Sequence, residues 1–108
     1  MNIDQAFKHE LQLAKQLLKN QQFEASFHHL ERAHILSQPF YIKHLTSHYW
    51  MFIHGLKRLD GKEIFGQIIR MLGSIGSLFG KYPLGNTGGA NVSPFKPMPI
   101  PEDLLQYF

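Results

Sequence analysis

The pattern of apolar and polar positions divides this chain in two. Up to about residue 80, apolar side chains recur at steps of three and four, as in helices that bury one face. From Lys81 onward, glycine, proline and asparagine take over. Phe7, Leu11, Ala14 and Leu18 form the first stripe, widened by Leu13 and Leu17, which predicts a helix capped by Asp4 and ending near Lys19. After the polar turn Asn20-Gln21-Gln22, a second helix is expected from Phe23 to about Leu36, burying Phe23, Ser26, Phe27, Leu30 and Ala33. Ser37 reads as the cap of a third helix, with Pro39 in its first turn, where a missing N–H costs nothing. That helix should reach about Leu59. Asp60-x-x-Glu63 then reads as a capping-box-like start for a fourth helix ending near Gly80. On it, Ile64, Phe65, Ile68, Leu72, Ile75 and Phe79 lie to one side, and Glu63, Gln67 and Arg70 to the other. Gly66, Gly73, Gly76 and Gly80 lower its helix propensity and allow close packing or local unwinding.

The first two helices resemble a tetratricopeptide hairpin. Ala14 takes the small position of the first helix, with Leu17 three residues on, and Ser26, Leu30, Ala33 and Pro39 follow the repeat's small, bulky, small and proline positions. The turn glycine of that repeat is absent, and there is one unit only. The expected fold is therefore all-α: a four-helix array starting with a tetratricopeptide-like helical hairpin, closed by an irregular Gly/Pro-rich C-terminal segment. It forms a single domain, residues 1–108, in which residues 1–80 are helical and residues 81–108 are a covering segment. In that segment Phe95, Met98, Ile100, Leu104, Leu105 and Phe108 are too apolar for a solvated tail. It should lie across the helices, extended through Pro97–Pro101 and ending in a short helix from Glu102.

Histidine supplies the candidate chemistry. Glu31 and His34 stand three apart on the second helix, and His44 and His48 four apart on the third, so each pair shares a face. Helix bundles that hold metal ions use such ligands. In a hairpin of this kind the His34 side of the second helix meets the helix that follows, so Glu31, His34, His44 and His48 form a candidate metal site. Glu10 and Tyr41 are candidates for its supporting shell. His9, His28 and His54 fall on expected surface positions, His54 alongside Lys43, Ser47 and Lys57. There is no cysteine, which excludes disulfides, thiolate zinc sites, iron–sulfur clusters and a cysteine nucleophile. A bound ion would be a divalent transition metal held by nitrogen and oxygen: Zn, Fe, Mn, Ni or Cu. Such a site serves folding, or, with an open position, polarises water for hydrolysis. No catalytic residue is identifiable. The competing reading needs no metal: the same rings hydrogen-bond to Tyr41, Tyr49 or Glu31 within a helical core.

Tyr82 to Ser93 contains Gly85, Asn86, Thr87, Gly88, Gly89 and Asn91, residues that permit positive φ or bond to local backbone. Consecutive N–H groups there can form an anion nest. The stretch lacks the lysine of a phosphate-binding loop, and a tight loop covering the helices is the preferred reading. Either way it can act as a lid over the histidines.

The net charge of +3 is modest and its basic residues are scattered, so no nucleic-acid partner is expected. No apolar run has membrane-spanning length, and the N-terminus has Asp4, Lys8 and Glu10 where a signal peptide needs apolar residues, so a cytoplasmic location is expected. The hairpin and the apolar fourth helix suggest a protein partner or a homodimer.

Glu31-Arg-Ala-His34-Ile-Leu-x-Gln38, His44-x-x-x-His48, Pro83-x-Gly-Asn-Thr-Gly-Gly-Ala-Asn-Val-Ser93 and Pro97-Met-Pro-Ile-Pro-x-Asp-Leu104 together resemble a small bacterial family of unknown function. The resemblance spans most of the chain. It implies no assigned activity; some members are encoded near metal-resistance determinants, which implies a metal connection but transfers no residue roles.

Overall fold

The computed structural model describes residues 1–108. Helix α1 covers Ile3–Lys19, α2 Phe23–Ser37, α3 Tyr41–Arg58 and α4 Gly61–Gly73. A 3-10 helix, Ser74–Phe79, continues α4, and a second one, Glu102–Tyr107, ends the chain. There are no strands, and the architecture is all-α.

Helix α1 starts earlier than its apolar stripe suggests. Asn2, not Asp4, is the cap: its side chain accepts from the Gln5 N–H at 2.8 Å, and the Gln5 side chain accepts in return from the Asn2 N–H at 2.9 Å. Asp4 sits in the first turn, where its charge complements the helix dipole. The turn to α2 puts Gln21 at φ 59°, doing without the usual glycine. Helices α1 and α2 then pack closely through small residues, the Ser26 hydroxyl donating to the Ala14 carbonyl at 2.8 Å. Ser37 does not cap α3. It ends α2, its hydroxyl bonding back to the His34 carbonyl, and α3 begins after Phe40 with no side-chain cap.

The apolar core joins Phe7, Leu11 and Ala14 of α1 to Leu30, Ala33, Ile35 and Leu36 of α2, Met51 of α3 and Leu104 of the final turn. Burying a side chain of this size contributes roughly 1.5–3 kcal/mol. Leu104 is the anchor by which the C-terminal segment lies on the helices. Next to it, Arg32 of α2 bridges Glu10 of α1 and Asp103 with both edges of its guanidinium.

Helix α3 is the middle element, packed on α2 along one side and on α4 and its 3-10 extension along the other. This explains His54. Its ring was expected at the surface but is fully buried, with Nε2 2.9 Å from the Phe23 carbonyl and the rings of Phe23 and Phe27 against it. Ser47 is buried for the same reason. A helix covered on two sides buries more than one stripe.

Helix α4 inverts the usual rule. Glu63, Gln67, Ser74 and Ser77 face inward and are buried, whereas Phe65, Ile68, Ile69, Leu72, Ile75, Leu78 and Phe79 face out. The α-helix ends at Gly73, and the tighter 3-10 winding stacks Ser77 directly over Ser74 on the inward side. That shift of winding brings Ser77 to a histidine.

Candidate metal centre

Two successive helices deliver one imidazole cluster. His34 comes from the buried edge of α2, and His44 and His48 from successive turns of α3; all three are buried. Their Nε2 atoms form a near-equilateral triangle: His34 to His44 3.0 Å, His34 to His48 3.1 Å and His44 to His48 3.1 Å.

Which nitrogens carry protons follows from the partners of the opposite ring atoms. Nδ1 of His34 is 2.8 Å from the Asn86 carbonyl, which can only accept, so that Nδ1 carries the hydrogen. Nδ1 of His44 is 2.6 Å from the Ser77 hydroxyl, whose own hydrogen goes to the Gln38 carbonyl at 2.7 Å. That hydroxyl must therefore accept from His44. Nδ1 of His48 is 2.6 Å from the side-chain oxygen of Gln67. The Gln67 amide is fixed by donating to Glu63 at 2.6 Å and to the Gly88 carbonyl at 2.9 Å. Each imidazole thus donates through Nδ1, and each presents a lone pair at Nε2.

A proton shared among the three does not resolve this crowding at neutral pH. Burial, then the neighbouring rings of His48 and His44, push His34 well below its ordinary range. Burial brings His44 down to about 4, and burial with the nearby His44 brings His48 down to about 3. Three neutral lone pairs about 3 Å apart repel one another unless a cation lies between them. Tetrahedral zinc with Zn–N near 2.0–2.1 Å requires nitrogens about 3.3 Å apart, a relaxation of a few tenths of an ångström. The cluster can hold a metal ion.

The other residues read from the sequence fall elsewhere. Glu31 is not in the close histidine group: it is half-buried near Thr87 and Glu63, and burial followed by the Glu63 charge raises its pKa. Glu10 faces away from the cluster, bonded to His29 at 2.6 Å and to Arg32 at 2.9 Å. Tyr41 does not line the cavity beside the rings. His28 and His9 are not among the buried histidines, in keeping with their positions on the helices.

The residues that support the histidines were not singled out by sequence reasoning. They are Gln67, Ser77, Glu63 and Gln38, the first three on the inward side of α4 and its 3-10 continuation, opposite the apolar residues. Gln38, fully buried, also fastens the loop: its amide donates to the Pro83 carbonyl and its oxygen accepts from the Gly85 N–H, each at 2.9 Å. For Glu63, Gln67 and Ser77 the sequence signal is their inward spacing, with Ser74, on a helix whose other side is apolar.

The Gly85–Asn91 loop covers the cluster at His34, whose Nδ1 meets the Asn86 carbonyl. Gly88, at φ +86°, presses its backbone against the face of His34; a Cβ there would come within 2.6 Å of the ring. The N–H groups of Gly85, Gly88 and Ala90 are taken by Gln38, Asn86 and Glu63, so these donors are not free for an external anion. This is a covering loop that replaces lost backbone bonds with side-chain ones. Beside the triangle a cavity of about 220 Å³ opens past Gln38, Arg70, Lys81, Tyr82 and Phe95. The inner end of the cavity is the imidazole cluster.

No helix is long and apolar enough to cross a membrane. No curated protein and no solved structure matches the chain. Its whole length, residues 1–108, matches one family, and the chain belongs to it: the family described as protein of unknown function DUF3703.

Proposed function

We propose that this protein binds one divalent transition-metal ion per chain through Nε2 of His34, His44 and His48, with a fourth coordination position open to the cavity. One observation carries the reading: all three Nδ1 atoms donate to fixed acceptors, so three lone pairs converge without a hydrogen between them. A hydrogen-bonded histidine core would place a donor opposite each acceptor; here acceptor faces acceptor.

Three neutral imidazoles and no carboxylate favour zinc, copper(II), nickel or iron over manganese, which prefers harder oxygen ligands. Among these, zinc suits three nitrogens with an open fourth site. Asn86, Ser77 and Gln67 act as the outer partners that orient metal-bound imidazoles and raise their basicity. Water or a small ligand entering the cavity would complete the coordination. Elemental analysis of protein purified without a histidine tag, followed by zinc, nickel and copper titration, tests the proposal. One equivalent bound by wild type and lost in His44→Ala and His48→Ala is expected. Equal affinity in all three proteins would reject these ligands.

A further inference from the structure

We infer that the outward face of α4 is the contact surface of a symmetric homodimer, formed by the same face of a second copy of this chain.

The face is large for a monomer. Phe65 is 68% exposed, Leu72 76% and Phe79 72%, and Ile68, Ile69, Ile75 and Leu78 are roughly half exposed. At about 200 Å² for each such side chain when fully exposed, these seven leave on the order of 800 Å² of apolar surface. Monomers rarely show contiguous apolar patches beyond about 300–600 Å², whereas a standard interface takes roughly 800 Å² from each partner.

The spacing fits a helical partner. Phe65, Ile68, Leu72 and Ile75 follow steps of three, four and three, the seam along which two helices interlock side chains. In the 3-10 continuation Leu78 stacks over Ile75 and prolongs the seam.

The charge pattern selects a second copy over a lipid surface. From Ile64 to Gly80 the only charged residue is Arg70, and its guanidinium turns inward to the Gly66 carbonyl at 3.0 Å and the Val92 carbonyl at 2.8 Å. A helix lying on a membrane carries lysine or arginine along its borders to meet headgroups. Along the length of this face the borders are Gly66, Met71 and Gly73, and lysine stands only at its two ends, at exposed Lys62 and Lys81. Across a two-fold axis such a face meets itself without like charges opposed. Ile69 and Gly73 belong both to this face and to the wall of the histidine cavity, so a docked copy would cover one side of the mouth. The inference stands on α4 and holds with or without metal at the histidines.

Sedimentation of the full chain, metal-free, from micromolar to near-millimolar concentration tests it. Wild type should reach twice the 12.5 kDa of one chain. Leu72→Glu and Phe65→Glu, changes at exposed positions of the single chain, should weaken association at least about 100-fold while circular dichroism is unchanged. Should either variant misfold, cross-linking decides. The chain has no cysteine, so Leu72→Cys supplies one thiol near the axis, which oxidised glutathione should convert to disulfide-linked pairs. The same change at exposed Gln12 of α1 should not link. A wild type that stays monomeric overturns the inference, whether or not it binds vesicles of anionic phospholipid. So does a dimer that is indifferent to both glutamates, or Leu72→Cys linking no faster than Gln12→Cys.

Discussion

The side-chain oxygen of Gln67 lies 2.6 Å from Nδ1 of His48, and the amide of the same glutamine is turned to Glu63. One residue thereby sets the hydrogen on His48 and ties α3, α4 and the loop at Gly88 together. Replacing it by a side chain of similar size without polar atoms, Gln67→Leu, frees the His48 ring to rotate and exchange tautomers. Metal affinity should fall about 10- to 100-fold, the usual effect of removing a partner of a metal-bound histidine. Competition against a chromophoric zinc chelator measures it, and an unchanged affinity would contradict the proposed role of Gln67.

The three histidines proposed as ligands should respond more steeply. His34→Ala, His44→Ala and His48→Ala each remove one of three nitrogens and should each lower affinity by more than the Gln67 variant, at least about 100-fold. Glu31→Gln should leave affinity and stoichiometry as in wild type, since that carboxylate lies by Thr87 and Glu63. Isothermal titration with zinc separates the two classes. Loss of binding in Glu31→Gln would restore the glutamate to the ligand set.

The three converging histidines were legible in the sequence because helical spacing is a local property, and His34, His44 and His48 needed only two neighbouring helices to meet. Glu31 looked equivalent because a step of three also shares a face. Whether it reaches the rings depends on how α2 and α3 are set against each other, which spacing does not carry. Gln67 and Ser77 escaped for a different reason. On an amphipathic helix the polar side is ordinarily wet, and α4 reverses this because its polar side has buried imidazoles to satisfy. His54 and Ser47 were misplaced because α3 is covered on two sides, a fact of topology. The loop was legible in kind from its Gly and Asn residues, but its contact with His34 was not, since Gly88 and His34 are brought together only by the fold.

That contact gives a test of the loop. Gly88 combines φ +86° with a missing Cβ that would lie 2.6 Å from the His34 ring. Gly88→Ala therefore meets both backbone strain and a steric clash with a buried ring that is held at Nδ1. A loss of about 2–4 kcal/mol in urea unfolding is expected, well above the cost of an ordinary surface change. Gly61→Ala, where a Cβ meets nothing within 4 Å, is the control and should change stability little. Similar effects from the two would show that the loop does not press on His34.

Acid should weaken the metal-free protein through the same histidines. In the unfolded chain each ring titrates near 6.5, whereas in the fold His44 titrates near 4, His48 near 3 and His34 well below 6.5. Between these limits the unfolded chain binds more protons, so stability rises with pH. The contribution is complete above about 6.5 and is lost as pH falls through the window from 6.5 toward 4 and 3, by roughly 1 kcal/mol per histidine and pH unit. Buried His54 is also lowered and adds to the trend. Glu31 acts in the opposite direction: burial raises its pKa, and the stability it confers when protonated is lost as pH rises. Four lowered histidines outweigh one raised carboxylate, so the urea midpoint of the metal-stripped protein should drop between about pH 7 and pH 4.5. Zinc competes for the same lone pairs. It should stabilise the fold by roughly 2.7 kcal/mol at about pH 7.5 when free zinc is about 100 times its dissociation constant, and the effect should fade only as pH falls below about 4, where the folded imidazoles themselves take up protons. A zinc effect of equal size in wild type and in His44→Ala at about pH 7.5 would place the ion on groups other than these imidazoles.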